Sequence, residues 1–470
     1  MKPLAKNIIL VSLDTQRADH LSCYGYKRRT SPHLDRIAEN GAMFRQCFSP
    51  HIPTYPGHTT MFTGKDPYAH NITGQSGDAY QPPKNIKMLA ELLGENGFFC
   101  GAADNLGRWF KNGFNLTEPY SWKTDARDEW RKGEAVNAAA LKVLNAASTS
   151  GKPFFLFFHY WDPHTPYLPP APFSRMFYEG NEKDPKNTSL DRMWQFENFK
   201  WYFNEWMPGV TDREFVIAQY DAEIAYLDAC LSHLFARLNA LKLMEDTLLI
   251  FTADHGEEMD EHECWFDHHG LYDTNLHIPL ILHLPGKIPA GSKPGGMVSL
   301  YDVAPTVLDA AGVGELAQRE GMLGQSVLPL ALKPASHSKG TREFIHITEN
   351  TWMRKRGIRT HEWKYIRALE PDIHGFPEEE LYHLTKDPGE KRNLTATLPE
   401  KTAEFRKQLS EHIAARLKAT GLPSDPFLVQ PIPLRRIGKM DAAVPKDSKL
   451  FREPEKVGPA KTMADHADLK

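Results

Sequence analysis

Four short apolar runs constrain this fold more than any other feature: Ile8–Leu13, Phe154–Phe158, Thr247–Thr252 and Pro279–Leu284. Each is apolar on both faces, the pattern of a strand buried in a parallel sheet with helices on either side. Helical patterns lie between them, at Leu34–Asn40, Met88–Asn96, Glu134–Ala147 and Ala218–Leu241. The alternation predicts a doubly wound α/β domain. Ligands of such sheets bind beyond the carboxyl ends of the strands. Asp14 ends the first run, Asp254 and His255 follow the third, and His159-Tyr160-Trp161-Asp162-Pro163-His164 follows the second. Three polar clusters at three strand ends point to one site.

The chain has 470 residues and a net charge of −4, which argues against a nucleic-acid platform. A locally positive site for a small anionic ester remains open. The first apolar run is too short to span a membrane, and no signal-peptide cleavage pattern follows it. No other stretch reaches transmembrane length. The five cysteines are scattered, odd in number and without metal-type spacing. Reduced thiols in a cytoplasmic protein are the expectation.

After about residue 345 the pattern changes. Arg359–Ile366 and Glu380–Leu384 read as short strands, and Glu400–Leu417 as an amphipathic helix. The expected organisation is a catalytic domain over 1–345, a small α+β subdomain over 346–430, and an extended tail over 431–470. That tail, rich in Pro, Lys and Ala, is either a loose end or an arm that joins a homo-oligomer. Phe173–Gly209 reads as an aromatic-rich insertion, serving as a packing helix, a lid over substrate or a subunit contact.

The segment Thr54-Tyr55-Pro56-Gly57-His58-Thr59-Thr60-Met61-Phe62-Thr63-Gly64 is too polar and turn-rich to read as plain core. Asp254 and His255, side by side at a strand end, can both reach one cation. Asp14 would lie nearby, and Thr54 would complete the set: metal ligands Asp14, Thr54, Asp254 and His255.

These motifs resemble the sulfatase-like branch of the alkaline phosphatase superfamily. In its nucleophile signature a Cys or Ser stands first, followed by x-Pro-Ser-Arg and a closing Thr-Gly; this chain keeps Pro56 and Thr63-Gly64 but begins with Thr54. Asn7–Gly25, Thr30–Asp35, Gly41–Phe44, Tyr160–Pro170, Thr252–Glu258, His268–Pro279, Asp302–Leu308 and Leu381–Leu394 carry the rest of the resemblance, which covers most of 7–395. It implies an alkaline-phosphatase-like core, with a mixed, mostly parallel sheet flanked by helices and a small C-terminal α+β subdomain. It also implies a divalent cation at the nucleophile. Asp14, Asp254 and His255 match family ligand positions, and a His ligand favours manganese or zinc over calcium.

Thr54 departs from the sulfatase pattern. Family sulfatases oxidise their Cys or Ser to formylglycine; oxidation of a threonine side chain gives a ketone, so no formylglycine is expected. A threonine hydroxyl activated by a cation is still a nucleophile. Nucleotide pyrophosphatase/phosphodiesterases carry a similar Thr-x-Pro-x-His. The family's Gly-Lys-Trp-His lysine has no counterpart near Ala103–Leu106, and the later Lys is replaced by His268. The expected activity is hydrolysis of phosphodiesters or phosphonate monoesters through a phosphothreonine. The alternatives are a sulfate ester hydrolase without formylglycine and a catalytically silent relative. Thr54, His58, His164 and His269 are the candidate catalytic residues, and Asn105 and His268 the candidate substrate contacts. Arg17 and Asp19 read as a structural ion pair, and His262, His277 and Glu257 as neighbours of the site. A second cation held by Asp162, His164 and His268 is a further arrangement, although the Asp-x-x-x-His spacing of binuclear relatives is absent.

Overall fold

The structure, a computed structural model, describes residues 2–75, 80–121, 130–334 and 339–432. The expected tail lies almost wholly outside these residues. A seven-stranded sheet forms the centre, in the order Ala42–Met43, Leu280–His283, Thr247–Thr252, Asn7–Leu13, Phe154–Tyr160, Phe99–Ala103 and Leu116–Glu118. Its five consecutive strands from Thr247–Thr252 to Leu116–Glu118 are parallel, and Leu280–His283 is antiparallel to both its neighbours. The mixed, mostly parallel sheet is the one the sequence implies.

The continuous apolar runs are explained by burial on two faces. Ile9, Val11 and Leu13 pack with residues of helices Lys132–Thr149 and Arg213–Ala240. Ile8 and Leu10 face the other way, towards helices Thr54–Thr63, Leu89–Glu95 and Val303–Ala310. At about 25 cal/mol per Å² of apolar surface, two such layers are the main stabilising term. Asp228 of the 28-residue helix accepts hydrogen bonds from the main-chain N–H groups of His33 and Leu34, both at 2.8 Å. It thereby satisfies the first turn of helix Pro32–Glu39.

A second sheet runs Glu379–His383, Trp363–Ala368, Arg354–Thr360, Phe344–Asn350 and His51–Ile52. The expected single strand Arg359–Ile366 is in fact the end of one strand and the start of the next, reversing at His361–Glu362. The spacer is two polar residues, too short a signal to separate from an edge strand. Helix Pro399–Thr420 covers this sheet through Phe405, Leu409 and Ile413. His51–Ile52, just before Thr54, pairs with Thr348 and Glu349, so the C-terminal sheet grips the chain leading into the candidate nucleophile. In the aromatic insertion, helix Glu197–Trp206 buries Phe199 and Phe203 in the core. No helix among the described residues is long and apolar enough to cross a membrane.

Candidate active site

Sheet register assembles the site. Ser12 pairs with His159 on one side and Thr252 on the other, so Asp14, His159 and Asp254 emerge along one edge. The Asp14 N–H donates to the Tyr160 carbonyl (2.8 Å). Thr15 then takes φ +56°, a left-handed conformation that a β-branched residue rarely adopts. Strain of this kind costs about 1–3 kcal/mol. It turns the Thr15 N–H onto Asp254 Oδ1 (3.3 Å).

Thr54 to Thr63 form a helix in which every residue is buried, although the segment's polar, turn-rich composition does not read as plain core. Poor intrinsic helix formers hid it from the sequence. Local chemistry explains it. Pro56 sits in the first turn, where no intrahelical N–H is required. The Thr59 and Thr63 hydroxyls donate to the carbonyls of Tyr55 and Thr59, both at 2.6 Å, and so lose their cost of burial. Gly64 closes the helix at φ +62°. Gly57 permits close approach: a Cβ there would lie 3.1 Å from the Asp254 carbonyl and 3.3 Å from that of His51. Thr54 is thereby set at the positive end of the helix dipole, with Oγ1 3.4 Å from His255 Nε2.

Asp14, Asp254 and His255 are fully buried, and their ligand atoms lie within 4.8 Å of one another. Asp14 Oδ1 and Asp254 Oδ2 have no hydrogen-bond partner. A buried carboxylate left uncompensated costs several kcal/mol. His255 Nδ1 bonds the Gly256 carbonyl (2.9 Å), which leaves the Nε2 lone pair facing Thr54. Two orphaned oxygens and one aimed imidazole nitrogen fit a divalent cation.

The sequence places His159 in a polar cluster at a strand end but gives neither it nor Asp104 a role in the site. His159 bridges Asp14 (Nε2 to Oδ2, 2.9 Å) and Asp104 (Nδ1 to Oδ1, 3.2 Å). Burial opposes its charge, but the hydrogen bonds to Asp104 and Asp14 push it up to about 9. The available signal was a histidine continuing the Phe155, Phe157 face of an otherwise apolar strand.

His58, a catalytic candidate from the sequence, lies beneath the site, with Nδ1 3.6 Å from Asp254 Oδ2. Its ring is wholly buried, with Nε2 2.9 Å from Ser12 Oγ and Nδ1 3.0 Å from the Thr54 carbonyl. It orients the Thr54 turn from beneath. His164 and His268 do share the site: their ring centroids are 5.1 Å apart, and His268 stacks on His255 at 4.7 Å. Burial disfavours charge on His268, but Asp267, then Glu257, push it up to about 10. Burial instead pushes His164 down to about 4. Asn105 accepts from Trp161 Nε1 (2.7 Å), and its Nδ2 is buried without a partner, a donor available to a ligand.

The grouping of Asp162 with His164 and His268 as a second cation site is not assembled. Asp162 faces Lys132 (3.9 Å), which also neighbours Glu223 (3.6 Å) and donates to the His164 carbonyl (2.8 Å). His268 instead groups with Glu257 and Asp267. His269 packs against His374, their Nε2 atoms 2.8 Å apart, and stacks on Phe199. Arg17 does pair with Asp19 (2.8 Å), and also with Glu261 (2.7 Å).

Fold and site together define a hydrolase of sulfuric or phosphoric esters on an alkaline-phosphatase-like core. Residues 6–313 match the Sulfatase family model, and 260–419 match the model described as N-sulphoglucosamine sulphohydrolase, C-terminal. The chain belongs to the sulfatase family. It is 24% identical over 446 residues to iduronate 2-sulfatase of Mus musculus, covering 80% of this chain and 77% of that one. It is 24% identical over 492 residues to N-acetylglucosamine-6-O-sulfatase of Bacteroides thetaiotaomicron, covering 86% and 84%. Among solved structures, the phosphonate monoester hydrolase of Agrobacterium radiobacter superposes with a TM-score of 0.67 at 19% identity, over 88% of this chain and 96% of that one.

Proposed function

We propose that this protein hydrolyses phosphodiesters or phosphonate monoesters through a covalent intermediate on Thr54. One observation carries the reading: a threonine hydroxyl, not a cysteine or serine, stands 3.4 Å from His255 Nε2 beside two orphaned carboxylate oxygens. Asp14, Thr54, Asp254 and His255 would hold a divalent cation, manganese or zinc by donor type. When bound, the cation would supply positive charge that favours the ionised Thr54 hydroxyl and screens the transferring group.

The chain's own groups do the rest. Thr54 Oγ forms a bond to phosphorus as the bond to the leaving ester oxygen breaks. His268, set between Glu257 and Asp267, donates a proton to that oxygen or a hydrogen bond to a nonbridging one. Asn105 Nδ2 supplies a second donor. Water then attacks phosphorus and Thr54 Oγ leaves in its ionised form; the proton that water loses passes by way of His164 back to His268, which restores both groups for the next turnover.

The names of the curated relatives favour a second reading, sulfate ester hydrolysis with an unmodified threonine. Purified protein should be compared on aryl esters that share one leaving group. Faster turnover of the phosphodiester or phosphonate than of the sulfate supports the proposal. The reverse order supports the second reading. We also propose a cytoplasmic setting, since all five cysteines are unpaired; recovery of the protein outside the cytoplasm on cell fractionation would refute it.

A further inference from the structure

A separate cluster of ligating side chains lies outside the proposed mechanism. Cys264 and His269 come from the loop after strand Thr247–Thr252, and His374 from the turn between strands Trp363–Ala368 and Glu379–His383. One ligand atom from each lies within 4.8 Å of the other two. The two Nε2 atoms face each other at 2.8 Å, so one ring must donate what the other accepts. His269 Nδ1 has no hydrogen-bond partner. The Cys264 thiol is fully buried, and its contact with the His262 carbonyl is 3.8 Å long. Ring planes are fixed by stacking: His374 on Phe196 at 4.6 Å, His269 on Phe199 at 5.4 Å.

We propose that Cys264, His269 and His374 form a second cation site, distinct from the Thr54 site, that takes zinc or another borderline divalent ion. One sulfur and two imidazole nitrogens are the donors such ions select over calcium or magnesium. Zn–N and Zn–S bonds of about 2.0–2.3 Å fit within the span of these atoms after a small opening of the two rings. The site ties the loop of the catalytic domain to the C-terminal sheet. Asp267 and His268 lie between Cys264 and His269 in sequence, so the ion also fixes the loop that presents His268 to the active site.

The test uses the full-length protein, stripped by chelator and reloaded with cobalt(II). A thiolate ligand gives a near-ultraviolet sulfur-to-cobalt charge-transfer band. We expect that band in the wild type and in Asp254→Asn, its loss in Cys264→Ser, and a weaker, shifted band in His374→Gln. Absence of the band from folded, cobalt-saturated wild type would overturn the site, as would an unchanged band in Cys264→Ser. If Cys264→Ser does not fold, His374→Gln decides, because that side chain is only half-buried. In the Asp254→Asn background, which removes a ligand of the Thr54 site, zinc affinity against a chromophoric chelator should fall at least tenfold on adding His374→Gln, and an unchanged affinity refutes the proposal.

Discussion

At the scale of single residues, the site is a problem of buried charge. Asp14 is ionised against the cost of its burial, held well below the usual carboxylate range by the hydrogen bond from His159 and by neighbouring imidazoles. His159 reaches Asp14 from behind and is itself fixed by Asp104. Partners of this kind set the direction and basicity of a ligand, and their loss typically costs about 10–100-fold in affinity or activity. His159→Gln should therefore lower manganese affinity and kcat/KM by about 10–100-fold while the protein stays folded. An isothermal titration with manganese, run beside steady-state kinetics, checks both; unchanged affinity would remove His159 from this role. Asp14, Asp254, His255 and Thr54 were legible in the sequence because each sits at a motif position after an apolar run. His159 was legible only as part of a polar strand end, because the strand that carries it is otherwise apolar or aromatic and gives no sign of its partner. Only the pairing of strand ends shows that it meets Asp14. For His58 and His269 the limit is related: spacing along the chain does not say which face of a helix or loop a ring occupies, and the structure sets His58 under the Thr54 turn and His269 against His374.

At the scale of elements, two contacts govern the position of Thr54, the proposed nucleophile. The first is the approach of helix Thr54–Thr63 to Asp254 over Gly57. Gly57→Ala places a methyl group 3.1 Å from a main-chain oxygen, so the helix must move by a few tenths of an ångström. Overpacking of this kind costs about 1–3 kcal/mol. We expect kcat to fall more than tenfold with a modest drop in melting temperature; unimpaired kcat would show that the close approach is not used. The second contact is the C-terminal sheet, which pairs with the strand before Thr54. Its seam holds His51 and His346, fully or almost fully buried, with His412 4.8 Å from the His346 ring. Burial, then neighbouring imidazoles, keep His51 and His346 well below the ordinary histidine value. A depressed folded pKa gives stability that is present above about pH 6.5 and lost as pH falls below it. Each ring that stays neutral contributes about 1.4 kcal/mol per pH unit to that loss. Neither nitrogen of His346 has a hydrogen-bond partner. His346→Leu should thus be tolerated at pH 7.5 and flatten the decline in denaturation free energy between pH 6.5 and pH 5. An unchanged slope would contradict the assignment. The strands and helices of the central domain were readable because burial on two faces writes itself as continuous apolar runs. The Thr54 helix was not, since its stability comes from hydroxyl-to-carbonyl bonds and enclosure by the core rather than from helix propensity.

At the scale of the whole molecule, the two sheets are not independent modules. Residues that lie outside the central sheet, Phe48 and Tyr272, share one core with Ile52, Ile345, Ile347 and Ile366 of the C-terminal sheet. The described chain ends by tying the two parts together: Arg354 Nη1 of the C-terminal sheet donates to the Phe427 carbonyl (3.0 Å), and Gln430 Nε2 donates to the Asn71 carbonyl near the end of the Thr54 helix (2.8 Å). A protein ending at residue 432 should keep its melting temperature within about 2 °C and its activity. One ending at residue 425 loses Phe427, which is wholly buried, and should lose about 3–5 kcal/mol. Thermal and chemical denaturation of the two shortened proteins checks this; equal stability would show that the return segment is dispensable. If the tail is an arm between subunits, the 432-residue form should also sediment as a smaller species than the full chain.

The central claim is that Thr54 is the atom-transferring nucleophile for a phosphorus ester. The most direct measurement is mass spectrometry of the acid-quenched, manganese-loaded enzyme during turnover of an aryl phosphonate monoester or phosphodiester. We expect a phosphorus-bearing adduct on the peptide containing Thr54, absent from Thr54→Ala, which should also lose turnover by about 10⁴-fold or more. Full turnover in Thr54→Ala, or an adduct formed only from the matched sulfate ester, would contradict the account.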